Sequence, residues 1–244
     1  MKYFGITDKG KIRRENQDCF LIEPHEEDKR LVIALCDGMG GAKAGGIASD
    51  VASKSFVAFV SERLSDGDIL PPFGAVLKGG CSEANGVVYQ YSCFDSNYSG
   101  MGTTLVGGIV TPEKATLANV GDSRAYLISD GAITQITRDH SLVEEMVERG
   151  EITRQAARNH PRKNIITNAL GLEKGITADV FETDLKAGDY LIFCSDGLSN
   201  VVEDEEMLNM AENSQAPEDL CRGLIALALE RSSPDNVTAV IVQA

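Results

Sequence analysis

Residues 31–38 read LVIALCDG and residues 190–197 read YLIFCSDG. Each is a short, unbroken apolar run ending at an Asp-Gly pair. That pattern suits a strand buried on both faces better than a helix, and it delivers a carboxylate at the strand's end. Outward from the first run, 3–7 and 19–22 read as short strands around a polar loop, 8–18, that carries Arg13, Arg14, Asn16 and Asp18. Downstream, Gly38, Gly40, Gly41, Gly45 and Gly46 make a permissive loop. Over 48–64, Ala48, Ala52, Phe56, Phe59, Val60 and Leu64 recur every three or four residues, as one helix face requires. A second helix is predicted from Val76 to Tyr91 against Gly79, Gly80 and Gly86, each of which costs about 1 kcal/mol relative to alanine.

Strand signals then crowd together at 103–110, 114–120, 124–128 and 133–136, with turns at Pro112-Glu113 and Asp130-Gly131. Asp66-Gly67 reads as a turn as well. Successive hairpins imply antiparallel sheet. Ser141 and Glu144 have capping-box spacing, opening a helix that ends near Gly150, and a short helix over 153–159 stops before Pro161. These helices interrupt a strand-rich region, so 139–172 is expected to form a mobile flap. Around the second apolar run lie a strand at 178–183, helices at 203–212 and 217–231, and a last strand at 237–242. Strand runs flanked by helix pairs, without βαβ alternation, indicate an α+β layered sandwich, and 244 residues suit one domain spanning 1–244.

A hydrophobic content of 43% with 25% charged residues is ordinary for a globular protein. The net charge of −14 repels nucleic acid and counts against a nuclease. No apolar run approaches the roughly 20 residues that span a bilayer, and the N-terminus lacks a secretory apolar stretch, so a cytoplasmic protein without a membrane partner is expected. Six scattered cysteines without a C-x-x-C pair read as free thiols. The absence of any C-x₅-R stretch argues against a cysteine-based phosphatase.

Asp37 and Asp196 end the two apolar runs, Asp122 lies in the turn VGDSR at 120–124, and Asp235 precedes the last strand. Carboxylates at the ends of central strands converge on one sheet edge, where they repel one another unless they take up protons or cations. Hard oxygen ligands favour Mg²⁺ or Mn²⁺ over Zn²⁺. Two such ions about 3.5–4 Å apart hold a water and aim it at phosphorus. Glycine at position 38 lets a backbone carbonyl approach a metal. Arg13 offers a bidentate grip on phosphate, but Arg14 beside it leaves open whether either is more than a solvated charge.

The chain resembles the metal-dependent serine/threonine protein phosphatases of the 2C type, in their small bacterial form. The matching stretches are TDKGKIRRENQD (7–18), CDGMGG (36–41), GMGTTL (100–105), ANVGDSRAYLI (118–128), RDHSLVEEMVERGEIT (138–153), HPRKNIITNALG (160–171), GDYLIFCSDGLSN (188–200) and PDNVTAVIV (234–242). They follow the family's order over nearly the whole chain. The resemblance implies two antiparallel sheets sandwiched between helix pairs, a four-layer α-β-β-α sandwich. It implies hydrolysis of phosphoserine and phosphothreonine in proteins by direct attack of a metal-bridging hydroxide, with two Mn²⁺ or Mg²⁺ ions. By position, Asp37 matches the bridging carboxylate, Gly38 a carbonyl ligand, Asp196 and Asp235 further ligands, and Arg13 the phosphate-binding arginine. Asp18 matches the acid that holds metal-associated waters, and Asp122 with Asp196 a third, weaker metal site. Segment 139–172 matches the family's flap. A cognate serine/threonine kinase and a monomeric state are implied likewise.

The sequence departs from the family at one role. Bacterial members commonly carry a histidine after DGMGG and animal members one after DG, the usual proton donor to the leaving alkoxide; here those positions are Ala42 and Met39. The vacancy implies a proton from metal-associated water, or a preference for phenolic leaving groups. It also supports the alternative of a catalytically weak or silent phosphatase-fold binding module, against which the retained acids weigh.

Overall fold

The computed structural model describes residues 1–26, 29–40, 44–65, 72–94 and 96–244. Ala42 and the Asp66-Gly67 turn lie outside them. In chain order the strands are β1 (Lys2–Asp8), β2 (Asp18–His25), β3 (Arg30–Met39), β4 (Gly102–Thr103), β5 (Leu105–Val110), β6 (Lys114–Val120), β7 (Arg124–Ser129), β8 (Ala132–Gln135), β9 (Asp179–Asp184), β10 (Tyr190–Cys194) and β11 (Val237–Gln243). The helices are α1 (Ala44–Ser65), α2 (Phe73–Phe94), α3 (Leu142–Glu148), α4 (Arg154–Arg158), α5 (Asp196–Ser199), α6 (Asp204–Glu212) and α7 (Pro217–Glu230). One sheet runs β1-β11-β10-β7-β8 and the other β2-β3-β5-β6-β9, with β4 added to β3. Every ladder between them is antiparallel.

Alternation along the two central strands explains the layers. On β3, Leu31, Ile33 and Leu35 face the other sheet, where Leu191 and Phe193 of β10 meet them. Val32, Ala34 and Cys36 turn outward onto α1 and α2. On β10 the complementary set, Tyr190, Ile192 and Cys194, packs under α5, α6 and α7. Burying each large side chain contributes about 1.5–3 kcal/mol, so the unbroken apolar runs secure three stacked cores at once. The glycines that weaken α2 as an isolated helix let it pack closely: a Cβ on Gly80 would stand 3.0 Å from the Phe56 ring of α1.

Three expectations change. First, β3 does not stop at Cys36 but continues through Asp37 and Gly38 to Met39, because Asp18 and then β4 pair with it. Second, 103–110 is two strands, broken where Thr104 turns to bond Asp37. Third, Ser141 caps α3 by accepting from the Glu144 amide, but the Glu144 carboxylate bonds Arg154 instead of closing a box. A reciprocal box exists elsewhere, between Glu203 and Glu206 at α6. Asp196-Gly197 opens the short helix α5.

Segment 139–172 carries α3 and α4. It is tied at two isolated bridges, Ser141 to Ile166 and Thr103 to Leu170.

Candidate active site

The ends of β3, β10 and β11 meet at one edge of the sandwich. Asp18 and Asp37 are register partners across β2 and β3. The Asp37 amide donates to Thr104 Oγ1, and its carbonyl accepts from the Thr104 amide and from Thr103 Oγ1, each at 2.9 Å. Two close approaches require glycine. A Cβ on Gly38 would sit 2.0 Å from the Gly45 carbonyl oxygen, and one on Gly197 would sit 1.9 Å from that of Asn236. The second contact seats the start of α5 against the residues just before β11, and so sets Asp196 beside Asp235.

Polar side chains fasten the N-terminal loop to this edge. Asn236, 3% exposed, donates to the carbonyls of Lys9 (2.7 Å) and Glu15 (3.0 Å) and accepts from the Gln17 amide (2.9 Å). A relay runs from Asn16 Nδ2 to Thr7 Oγ1, to Thr238 Oγ1, to Asp18 Oδ2, which also accepts from Ser195 Oγ at 2.8 Å. Asp18 Oδ1 and Asp196 Oδ1 are buried and receive no donor among the described residues.

Asp37, Gly38, Asp122, Asp196 and Asp235 line an open pocket of about 420 Å³, together with Arg13 and Gln17 and, from segment 139–172, Asn164 and Ile166. Asp18 is not part of this lining, although it pairs with Asp37. Asp122 and Asp196 also line a smaller cavity of about 110 Å³ under α3 and α4, where Arg124 grips both oxygens of Asp139. Burial, reinforced by Asp18 and Asp196, pushes the Asp37 carboxyl well above the usual carboxylate range. Burial also raises Asp196 to about 6, helped by Asp235, and Asp122 to about 8, helped by Asp196. Asp18 rises to about 6 by burial against the opposing pull of its hydrogen bonds from Thr238 and Ser195. A set of acids this reluctant to ionise together is a strong attractor for cations.

All seven residues singled out in the sequence therefore gather at one place. Arg13 does so in an unforeseen way: its Nη2 donates to Asp235 Oδ2 at 2.6 Å and its Nε to the Pro234 carbonyl at 3.3 Å. Asp235 Oδ1 accepts from the Asn236 amide. Arg14 does not line the pocket. Sequence reasoning passed over Gln17, Thr104, Asn164, Ile166 and the fastening residue Asn236, although Asn236 stands inside the quoted PDN stretch; only its long-range partners reveal its role. None of the three histidines lines the pocket. His140 sits among the Gly121 amide, Asn168 and Asp179, His25 bonds Ser61 and Glu23, and His160 Nδ1 accepts from the Arg162 amide. Met39 does line the pocket.

Residues 12–227 match the family described as protein phosphatase 2C. The serine/threonine phosphatase stp of Listeria monocytogenes serotype 4b is 36% identical over 240 residues, 97% of this chain and 93% of that protein. The crystal structure of serine/threonine phosphatase Stp1 from Staphylococcus aureus superposes with a TM-score of 0.90 at 35% identity, covering 99% of this chain and 94% of the other. The catalytic domain of the serine/threonine protein phosphatase PstP, in complex with two manganese ions, superposes with a TM-score of 0.84 at 31% identity, covering 99% and 97%.

Proposed function

This chain belongs to the protein phosphatase 2C family, and we propose that its acidic pocket carries out metal-dependent hydrolysis of phosphoserine and phosphothreonine in proteins. The observation that carries the reading is the convergence of Asp37, Asp122, Asp196 and Asp235 on one pocket with Arg13 at its side. The donor set fits Mn²⁺ or Mg²⁺: every candidate ligand is a hard oxygen, two buried carboxylate oxygens lack donors, and the shared elevation of the acids is relieved by positive charge. Asp37, the Gly38 carbonyl, Asp196 and Asp235 would hold two ions, and Asp122 with Asp196 a weaker third. When bound, the ions supply Lewis acidity that activates water and withdraws charge from the phosphoryl oxygens.

The chain's own residues do the rest. Arg13, half-exposed, is placed to exchange its contact with Asp235 for a phosphate oxygen. Asp18, clamped by Ser195 and Thr238 through one oxygen, keeps the other without a donor among the described residues and would order water there. Among the described residues no cysteine or histidine lines the pocket, so a phosphocysteine or phosphohistidine intermediate is disfavoured, and direct hydrolysis is the reading we adopt. Met39 carries no transferable proton, which keeps phenolic leaving groups the easier substrates.

In this proposal 1–244 acts as one catalytic domain with 139–172 as its flap. The protein works as a cytoplasmic monomer opposite a serine/threonine kinase, and nucleic acid is no partner of so acidic a surface. Among the described residues no helix is long and apolar enough to cross a membrane. Phosphate release from p-nitrophenyl phosphate with Mn²⁺, abolished by EDTA and by Asp196→Asn, is the expected result. Bound Mn²⁺ without turnover of any phosphopeptide would favour the silent binding module.

A further inference from the structure

Asp122 stands in the short turn between β6 and β7, and the residue on each side of it is tied down. Ser123 Oγ and Thr104 Oγ1 share a hydrogen bond at 2.7 Å, and Thr104 Oγ1 also accepts from the Asp37 amide. Gly121 has a φ of 105°, and a Cβ there would sit 2.6 Å from Thr104 Cγ2, so only glycine fits this bend. Both backbone polar groups of Gly121 meet His140. The amide donates to His140 Nδ1 at 3.2 Å, and the carbonyl accepts from the His140 amide at 2.9 Å. The carbonyl has a second donor in Asn119 Nδ2, at 3.0 Å, so the imidazole matters most for the amide. The ring, whose side chain is 11% exposed, is fixed at both nitrogens: Asn168 Nδ2 joins the Gly121 amide at Nδ1, also at 3.2 Å, and Asp179 Oδ2 lies 3.3 Å from Nε2. Amide N–H groups only donate, so Nδ1 holds the lone pair and the ring proton sits on Nε2, against the carboxylate. Arg138 holds Asp179 in turn, at 2.8 Å.

We propose that His140 is a positioning residue of the metal site: through Nδ1 it holds the Gly121 amide, and with it the Asp122 carboxylate, where Asp122 and Asp196 take their cation. The inference rests on the metal-dependent reading of the pocket. In this role His140 touches neither substrate nor ion. It acts through one backbone N–H, in the way that outer hydrogen bonds orient metal ligands. Gly121 is buried, so loss of the Nδ1 acceptor strands its amide away from water and favours a turn of different shape. The competing role is purely structural: His140 also closes the base of segment 139–172, its carbonyl accepting from the Thr167 amide at 2.8 Å and its ring from Asn168. The two roles separate at Asn168, which binds the ring but not Gly121.

The experiment titrates the full chain with Mn²⁺ alone in a calorimeter, after EDTA has been removed. The weakest Mn²⁺ binding event is expected to vanish in Asp122→Asn, which identifies it. His140→Leu, which offers Gly121 no acceptor, is expected to weaken that event about tenfold or more. His140→Asn, whose Oδ1 can accept where Nδ1 does, should keep it within about threefold of the wild type, and Asn168→Ala within about twofold. An unchanged event in His140→Leu, an equal loss in the Asn and Leu variants, the same loss in Asn168→Ala, or an event that survives Asp122→Asn would each overturn the proposal. Should the leucine variant fail to fold, the unmodified chain still decides: long-range proton–nitrogen NMR correlations of the His140 ring are expected to show the proton on Nε2 and none on Nδ1, and a protonated Nδ1 would overturn the assignment. Turnover of p-nitrophenyl phosphate by the unmodified chain reports on the phosphatase reading alone; its absence would remove that reading while the Mn²⁺ titration still tests His140.

Discussion

Stripping metal from the protein should make its stability fall as the pH rises from 5 to 8. An acid whose folded pKa is raised favours the folded state fully only below its unfolded pKa, and that advantage disappears as the pH climbs through the folded value. Asp18 goes from 3.8 to about 6, mainly through burial. At pH 5 its folded carboxyl is still mostly protonated; at pH 8 it must ionise inside the protein. For this one group the linkage integral between the two pH values is about 1.4 kcal/mol, lost at the upper end. A domain of this size shifts its Tm by about 2–4 °C per kcal/mol, so the drop is about 3–6 °C from Asp18 alone. Asp196, raised to about 6, and Asp122, raised to about 8, act in the same direction. Glu206, held down to about 2 by Arg231, contributes stability that is lost only as pH falls through that region, so it is flat across the window.

The assay is thermal unfolding in EDTA at pH 5, 6, 7 and 8, repeated with Asp18→Asn and with millimolar Mn²⁺. The Asn variant should flatten part of the slope. Mn²⁺ should lift the curve most at pH 8, where the ligands are free of protons and binding to the folded state adds stability by mass action. A Tm in EDTA that is level or rising from pH 5 to 8 would refute the claim that these acids crowd one another.

Three further outcomes are expected. Asn236→Ala removes three hydrogen bonds that hold 9–17 against β11 and strands their backbone partners, for a loss of about 2–4 kcal/mol and a Tm lower by roughly 5–15 °C in calorimetry; a change under about 2 °C would mean the loop is held otherwise. Arg13→Ala frees Asp235 from a half-exposed ion pair worth about 0.2–1 kcal/mol, so Mn²⁺ should bind up to about fivefold more tightly by titration calorimetry while the KM for phosphopeptide rises; weaker Mn²⁺ binding would show that the arginine helps the site to form. Ala42→His should speed phosphoserine hydrolysis at least about tenfold relative to aryl phosphate, and an unchanged ratio would refute the missing proton donor.

Local pattern carries a residue's face and position but not its distant partner, and that boundary divides what the sequence disclosed from what it hid. The runs at β3 and β10 announced themselves because a strand buried on both faces needs apolar side chains at every position, whatever lies opposite. The acids at their ends were legible for the same reason, as charges set where a buried strand should have none. The end of β3 was misjudged because Asp37 remains in the strand only through Asp18 and Thr104, contacts no periodicity records. Asp18 depends on Ser195 and Thr238, 177 and 220 residues away, and Asn236 on a loop more than 200 residues before it. These partners are brought within reach because β1 pairs with β11 along its whole length, joining the two ends of the chain. A carboxylate cluster assembled from both termini cannot exist in any partial fragment of the fold, so the same closure that builds the sandwich also decides whether the pocket has its charge. This is why changes at Asn236, remote from any reacting atom, are expected to weaken metal binding and stability together.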